Sequence, residues 1–495
     1  MSSRVAACTA FALAACLPLA GLCAEEASPK PVRVTLDQTV DMAMRQNPDI
    51  RKAIQEIERT RGVIVEVRAQ ALPRVGARAR YDERDPNAIE SGGASGGSGG
   101  GTQDRSWNVA LEVRQLLYSG GQVKAALSIA DITEDTSIYQ LRDVVDRVIA
   151  EVRSKFYEIV LNRALVGVQE QSVALLEEEL SDQKKREAAG TVPRFNVLRA
   201  EVELANARPD LIRARNNLRL ARLQLAKLVG LSYQRVQEYR DIDVLGELPF
   251  EPRKVDLDRA VAEAVERRPF LRVQQQLILE EIQQIRVARG GALPRIEATA
   301  GYEFRNSIFG DAFDGVVDGY FAGFEGTWAV FDGMETTGKM RQARARLESA
   351  RINYEDALRQ VELEVQTAVS RLQEARELID SQRKNVEQAQ EALRLARERT
   401  SAGAGTQLDV LDARVALISA QTTELQARYE YNAALAELDR VTGSTTRFHT
   451  AAPAAPAKGR QSSKTPPPAA SPPPQPVAPS DKTIRAVSHR PAGRP

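Results

Sequence analysis

The residue types that carry much of enzyme chemistry are scarce in this sequence and lie near its two ends. The cysteines Cys8, Cys16 and Cys23 fall at the N-terminus, and the histidines are His449 and His489. A thiol nucleophile, a disulfide or a histidine-based triad needs these side chains inside a folded core. The middle of the chain therefore holds no cysteine or histidine catalysis and no thiolate or imidazole metal site.

Carboxylates remain as acid–base groups, but no phosphate-binding motif accompanies them. The glycine-rich stretch 92–101 lacks the lysine of a phosphate-binding loop, so it predicts a flexible connection. Lys+Arg number 68 and Asp+Glu number 67, a net charge of +1 that provides no basic field for nucleic acid. We expect no enzymatic activity, no cofactor and no nucleic acid; a carboxylate hydrolase of cell-wall sugars is the enzyme class left open.

The N-terminus has the composition of an export signal. An apolar run over residues 5–22 follows a single arginine and precedes two glutamates. We predict a signal peptide over residues 1–24, cleaved after Ala24, which leaves a mature chain without cysteine. Leu13-Ala14-Ala15-Cys16 also fits a lipoprotein box, so acylation of Cys16 stays open as the alternative.

The chain contains the same succession of motifs twice. The first two pairs are 221 residues apart and the later ones 213, and a longer Gly/Ser loop in the first copy accounts for the difference. The pairs are Asn47-Pro48 and Arg268-Pro269, Leu72-Pro73-Arg74 and Leu293-Pro294-Arg295, Tyr118-Ser119-Gly120 and Phe331-Asp332-Gly333, and Asn196-Val197-Leu198 and Asp409-Val410-Leu411. A constant offset on each side of one loop indicates a duplication, with repeats over about 34–231 and 255–444.

Long helices dominate each repeat. Apolar residues such as Leu141, Val145 and Val148 recur at steps of three and four, which is the pattern of one helix face. Helices are predicted over residues 36–70, 121–188 and 193–228, and over 257–289, 334–400 and 408–441. A helix of nearly seventy residues spans about 100 Å, as long as two medium helices placed end to end. Such lengths predict a coiled coil or a helical tube.

Between the helices lie four segments in which apolar and polar residues alternate, predicted as strands over 71–82, 107–116, 293–305 and 319–331. Both tryptophans, Trp107 and Trp328, fall on the apolar faces, as does Val330. A soluble sheet with one face on a core explains this alternation, and so does a membrane barrel with lipid and lumen faces. Strand lengths of about ten residues and aromatic residues near the ends favour the barrel.

Four strands do not close a barrel, because the edge strands would expose unpaired backbone groups to lipid. Several copies of the chain must therefore contribute strands to one barrel. Two copies would give eight strands, and three would give twelve, enough for an open channel. A transport role favours three.

In the order of these motifs the chain resembles the TolC family, from about Val34 to Gly443, most specifically in Gly405-Thr406-Gln407-Leu408-Asp409-Val410-Leu411-Asp412-Ala413. The resemblance implies an α+β membrane protein in which duplicated long α-helical hairpins form a periplasmic tunnel. Four β-strands per subunit contribute to a trimeric 12-stranded outer-membrane β-barrel in outer-membrane lipid. It also implies a passive exit duct of a tripartite efflux pump or a type I secretion system. The partners would be a periplasmic adaptor protein and an inner-membrane RND or ABC transporter.

The resemblance implies that acidic residues near the second hairpin tip line the narrowest part of the tunnel. Asp409 and Asp412 occupy the matching places, and three copies of each would form an acidic ring that attracts cations. Helix capping is a competing interpretation of Asp409, because Thr406 three residues earlier completes a capping box. Asn196 holds the corresponding position at the tip of the first hairpin.

The sequence departs from the family at the groups that hold the tip shut. Thr400 and Gly405 stand where a tyrosine and an arginine can close the tip, and Phe195-Asn196 replaces a polar residue and an acid. We therefore expect different closing bonds. The charge runs 177–179 and 184–186 fit a docking surface, although such runs are more often solvated helix faces.

Residues 445–495 hold 12 of the 24 prolines and predict an extended or disordered tail. The alternative function is a periplasmic coiled-coil adaptor of an export system. Such proteins carry one hairpin between β-rich domains, whereas this chain has two copies of a hairpin, each with its own strand pair.

Overall fold

The computed structural model describes residues 33–83, 85, 105–231, 243–307 and 315–445. The predicted signal peptide, the Gly/Ser loop 92–101 and the tail from residue 446 onward lie outside the described residues.

Within the described residues each repeat contains four helices, and the two longest helices have the same length. The first repeat holds β1 (Arg33–Val34), α1 (Leu36–Gln46), α2 (Pro48–Ala69), β2 (Arg74–Glu83), β3 (Arg105–Ser119), α3 (Gln122–Ala188) and α4 (Arg194–Val229). After β4 (Asp243–Val244), the second repeat holds α5 (Leu257–Arg267), α6 (Pro269–Gly290), β5 (Arg295–Asn306), β6 (Val316–Thr327), α7 (Glu335–Ser401) and α8 (Gln407–Val441).

The helices predicted over 36–70 and 257–289 are each divided in two, so these two predictions were wrong. The breaks fall at Asn47-Pro48 and Arg268-Pro269, where proline starts the second helix of each pair. Proline has no N–H to continue the preceding helix, and it drives the residue before it toward extended backbone. Asn47 and Arg268 accordingly have ψ values of 129° and 122°.

Four strands form one antiparallel sheet in the order β2-β3-β5-β6, while β1 and β4 form a short parallel pair. The fourth strand ends at Thr327, so Trp328 and Val330 lie beyond it rather than on its apolar face as predicted. Thr327 pairs with Arg295, and the next partner would be Pro294, which has no N–H for the ladder. The Trp328 indole instead donates to Ala292 O at 3.2 Å.

The long helix α3 joins the two repeats along its length. Near its start, Gln122 donates to Val287 O on α6 at 3.3 Å. Near its end, Lys184 pairs with Glu201 on α4 at 2.9 Å. Between these points Arg153 donates to Asp439 on α8 at 2.9 Å. Through α3, the first repeat therefore packs against α6 and α8 of the second repeat.

The duplication seen in the sequence recurs in the packing. Near the tip of the first hairpin, Val173 and Leu176 pack against Leu204. The residues 213 positions later, Val386, Ala389 and Leu417, pack together near the tip of the second hairpin. Each repeat also has its own larger core, built around Val152 in the first and Val365 in the second. The two hairpins are therefore equivalent in structure as well as in sequence.

Across these described ranges, none of the helices combines the length and the continuous apolarity that a membrane-spanning helix requires.

Candidate functional site

One face of the four-stranded sheet is apolar and open. Its side chains align in rows across the strands, since Ala77 is opposite Leu111, Leu111 opposite Tyr302, and Tyr302 opposite Tyr320. Tyr320 is 87% exposed and Phe324 80% exposed, values that an aromatic ring on a soluble core would not have. An apolar face this exposed marks a contact with lipid or with another molecule.

The opposite face of the sheet is charged. Arg78 on β2, Glu112 on β3 and Glu303 on β5 project from it, and Asn108 donates to Glu303 at 3.2 Å. Phe321 lies on this face over Gly301, where an added Cβ would come within 2.5 Å of the ring. The sheet thus combines an open apolar face with a polar one, the arrangement of strands between lipid and a water-filled lumen.

The sheet has two free edges. Within residues 33–83, 105–231, 243–307 and 315–445, β2 pairs only with β3 and β6 only with β5. Each edge strand therefore presents a row of backbone N–H and C=O groups to a further strand. Pairing β6 of one copy with β2 of the next would satisfy these groups without any change in the fold.

At the tip of the second hairpin, Asp409 caps α8. Its backbone N–H donates to Thr406 Oγ1 at 3.3 Å, and its carboxylate accepts the N–H of Thr406 at 2.9 Å. The predicted capping box is therefore confirmed. These hydrogen bonds hold the pKa of the Asp409 carboxyl below its usual range, with Arg399 adding to the effect, so the group is ionised at neutral pH.

Asp412 and Asn196 differ from Asp409 in their surroundings. Asp412 lies one turn further along α8 and is exposed. Asn196 is half-buried in the first turn of α4, where its N–H donates to Pro193 O at 3.0 Å. The fold thus brings the two aspartates together on one helix. No hydrogen bond in the described part of the chain joins Asn196 to either of them.

The turn between α7 and α8 is tightly packed at Thr400 and Gly405. Thr400 donates through Oγ1 to Thr406 O at 3.2 Å. A Cβ added at Gly405 would lie 3.1 Å from the backbone nitrogen of Thr400. The small residues at positions 400 and 405 therefore pack against each other across the turn.

Two bonds tie the second hairpin to the first near the tips. Gln407 on α8 donates through Nε2 to Glu179 on α3 at 2.9 Å. Two turns later, the buried Arg414 lies 3.8 Å from Glu203 on α4, a carboxylate that also pairs with Arg199 at 3.3 Å. Sequence reasoning missed both contacts. The contact of Arg414 could have been predicted from its position, because this arginine lies on a face of α8 that otherwise carries apolar residues such as Val410.

The charge runs 177–179 and 184–186 are largely engaged within the hairpins. Glu177 pairs with Arg208 at 3.4 Å, and Arg186 pairs with Asp182 at 3.2 Å. Exposed pairs of this kind contribute little stability individually. Their pairing favours the interpretation of these runs as solvated faces.

The chain matches known proteins over most of its length. The model of the family described as outer membrane efflux protein matches residues 39–231 and 260–444. The chain is 24% identical over 339 residues to the outer membrane efflux protein BepC of Brucella suis biovar 1, covering 68% of this chain and 72% of that protein. It is 23% identical over 417 residues to outer membrane protein TolC of Escherichia coli K12, covering 80% of this chain and 79% of that protein.

The fold is also that of solved channels. The Campylobacter jejuni CmeC outer membrane channel superposes with a TM-score of 0.71 at 16% identity, over 83% of this chain and 86% of that one. This likeness and the family match confirm the predicted fold class and the resemblance drawn from the motifs. The chain therefore belongs to the outer membrane efflux protein family.

Proposed function

We propose that three copies of this chain form a duct across the outer membrane and the periplasm, through which an inner-membrane RND or ABC transporter expels small molecules or proteins. The observation that carries the proposal is the sheet with an open apolar face, a charged face and two unpaired edges. In the proposed trimer neighbouring copies supply the further strands, and the charged faces then line the lumen. The helical hairpins continue this lumen for about 100 Å.

We propose that the duct is passive. Energy comes from the transporter, and the chain supplies a path. A periplasmic adaptor is the alternative function, but it leaves the exposed aromatic rings of Tyr320 and Phe324 without a role.

Asp412 is the proposed constriction residue, with Asp409 beside it and Asn196 as the neutral polar group of the first tip. Asp412 is exposed and has no capping role, so its charge is available to the lumen. Three ionised carboxylates around an axis lower the energy of a permeating cation and raise that of an anion.

The test is the reversal potential of single channels in a planar bilayer under a potassium chloride gradient. Wild type is expected to be cation-selective, and Asp412→Asn to move the reversal potential toward zero. Asp356→Asn, at an exposed aspartate on α7, is the matched control and should leave it unchanged. Asn196→Asp should increase cation selectivity. An Asp412→Asn channel with wild-type selectivity would remove this residue from the constriction.

Equivalent apolar positions near the two tips are the proposed docking faces for a periplasmic adaptor. Phe195 and Val202 on α4 are exposed, and so are Leu408 and Val415, their counterparts 213 residues later on α8. A spacing of seven places each pair on one face of its helix. Three copies of the chain would present six such faces around the tunnel end.

Charged substitutions test these faces. Val202→Glu and Val415→Glu should abolish export in cells while the protein still assembles in the outer membrane. Val65→Glu changes an equally exposed valine on α2, far from the tips, and serves as the control. Full export by both tip variants would show that the adaptor binds elsewhere.

A further inference from the structure

A buried cluster of charged side chains lies where the first repeat meets the second. Asp146 on α3 is 3% exposed, and Arg268, between α5 and α6, is 5% exposed. Arg268 donates through Nη2 to Glu364 Oε2 on α7 at 2.5 Å, and Arg440 on α8 approaches the same oxygen at 3.4 Å. Helices from both repeats therefore meet around one group of charges.

The hydrogen bonding of this cluster is incomplete. Oδ1 of Asp146, and Nε and Nη1 of Arg268, are buried and have no hydrogen-bond partner among the described residues. Buried donors and acceptors are rarely left unpaired in folded proteins. Here an unused acceptor on Asp146 and two unused donors on Arg268 belong to the same cluster, and the positive charge of Arg268 acts on Asp146.

At the equivalent position of the first repeat, the side chain of Asn47 is hydrogen-bonded through both its nitrogen and its oxygen. Asn47, 221 residues before Arg268, donates through Nδ2 to Leu228 O at 2.7 Å. Its Oδ1 accepts the N–H groups of Asp49 at 2.8 Å and Ile50 at 3.2 Å. Since the fold can satisfy this position fully, the unpaired atoms at Arg268 are a specific property of the second junction.

The charges of the cluster balance without Asp146. Arg268 and Arg440 face the carboxylates of Glu364 and Glu437, the latter 2.6 Å from Arg440. An ionised Asp146 adds one uncompensated negative charge in a buried place, which is unfavourable unless a cation turns toward it.

Other charged groups modify this balance. On its own helix, Arg142 and Asp143 act on Asp146. Arg268 from the α5–α6 junction and Arg440 from α8 act on it as well. Glu364 of α7 is paired with both of these last two arginines. Burial raises the pKa of Asp146 to about 7, and Asp143 acts in the same direction, against the three arginines. The carboxyl thus changes protonation close to neutral pH.

We propose that Asp146 is a proton-controlled switch between the two repeats, in which its ionised carboxylate takes Arg268 from Glu364. The proton leaves to solvent, and Arg268 turns so that one of its unused donors, Nε or Nη1, bonds to Oδ1 of Asp146. This turn removes Nη2 from Glu364, and the bond from Arg268 to α7 is lost. Because α7 leads to the second hairpin tip, its release loosens this hairpin and enlarges the tunnel. The effect on the tunnel rests on the proposed function; the exchange of partners does not.

The first test follows protonation directly in the purified wild-type protein by infrared spectroscopy. A carboxylic acid C=O band should disappear as the pH rises through about 7. Asp146→Asn should lack this band. Asp143→Asn, which changes a less buried aspartate on the same helix, should keep the band but lose it at a lower pH, because Asp143 raises the pKa of Asp146. A titrating band near neutral pH that survives in Asp146→Asn would overturn the proposal, as would its absence in wild type.

The second test measures single-channel conductance at pH values on both sides of 7. Wild type and Asp143→Asn should show a step to higher conductance as the pH rises, and Asp146→Asn should stay at the low level. A step that persists in Asp146→Asn would overturn the proposed effect on the tunnel. If no form conducts at any pH, the proposed duct fails, while the infrared titration still decides whether the switch exists.

Discussion

Asp439 provides the clearest test of how the two repeats are held together. Its side chain is almost fully buried near the end of α8. Its carboxylate accepts Arg153 Nη1 from α3 at 2.9 Å, and Arg253 Nη1 from the segment before α5 at 3.3 Å. Ser444 Oγ also donates to it at 3.3 Å. Asp439→Asn keeps the size of the side chain and removes the charge that both arginines face.

The expected loss of stability follows from the exposure of the two partners. Removing one member of a buried ion pair costs about 3–5 kcal/mol because the other charge stays buried. Arg253 is 55% exposed and water screens its share, whereas Arg153 is 16% exposed. We therefore expect Asp439→Asn to lose about 3 kcal/mol. At about 2–4 °C per kcal/mol, the thermal midpoint falls by roughly 6–12 °C.

The assay is thermal unfolding of the purified protein in detergent, followed by the circular dichroism of its helices. Glu348→Gln is the matched control: its pair with Arg351 has an N···O distance of 3.3 Å, but both side chains are more than half exposed. Its loss should be about 0–1 kcal/mol. Equal shifts for the two variants would refute the assignment of Asp439 as a buried link between repeats.

Three further outcomes follow from backbone geometry and capping. Gly230→Ala should lower the thermal midpoint strongly, because φ is 85° and the new Cβ would lie 2.3 Å from Gln46 O. Met334→Gly should raise the free energy of unfolding by up to about 1 kcal/mol, and the thermal midpoint with it. The reason is that Met334 holds a φ of 71°, and its side chain is 66% exposed. Asp409→Ala should lower the thermal midpoint and speed amide exchange in the first turn of α8, because it removes one bond of the capping box, whereas Asp412→Ala should not.

Local and periodic features of the fold were predictable from the sequence. Period-two alternation gave the correct faces for residues such as Leu111 and Tyr302, because a strand must place alternate side chains on opposite sides. The Thr406–Asp409 capping box is confirmed because both partners lie within one turn of the chain. The 213-residue offset also reappears as equivalent contacts in the two hairpins.

Features that depend on distant residues were not predictable. The alternation of apolar and polar residues continues to Trp328, so the sequence predicts a strand there. The strand ends earlier because the residue before the paired strand β5 is Pro294, which has no N–H to offer. The contact of Arg414 with Glu203 and the cluster around Asp146 join side chains more than one hundred residues apart. Such pairs follow from how the helices pack across repeats, which the pattern of one helix does not specify.

The most direct test of the central claim counts the copies that close the sheet. One cysteine placed on β2 and one on β6, facing the free edges, should form disulfides between neighbouring copies in outer membranes. Non-reducing gels should then show cross-linked species up to the trimer and none larger, because three sheets close a ring of twelve strands. A series that ends at the dimer or continues past three, or no cross-link at any pair of edge positions, would contradict the trimeric duct.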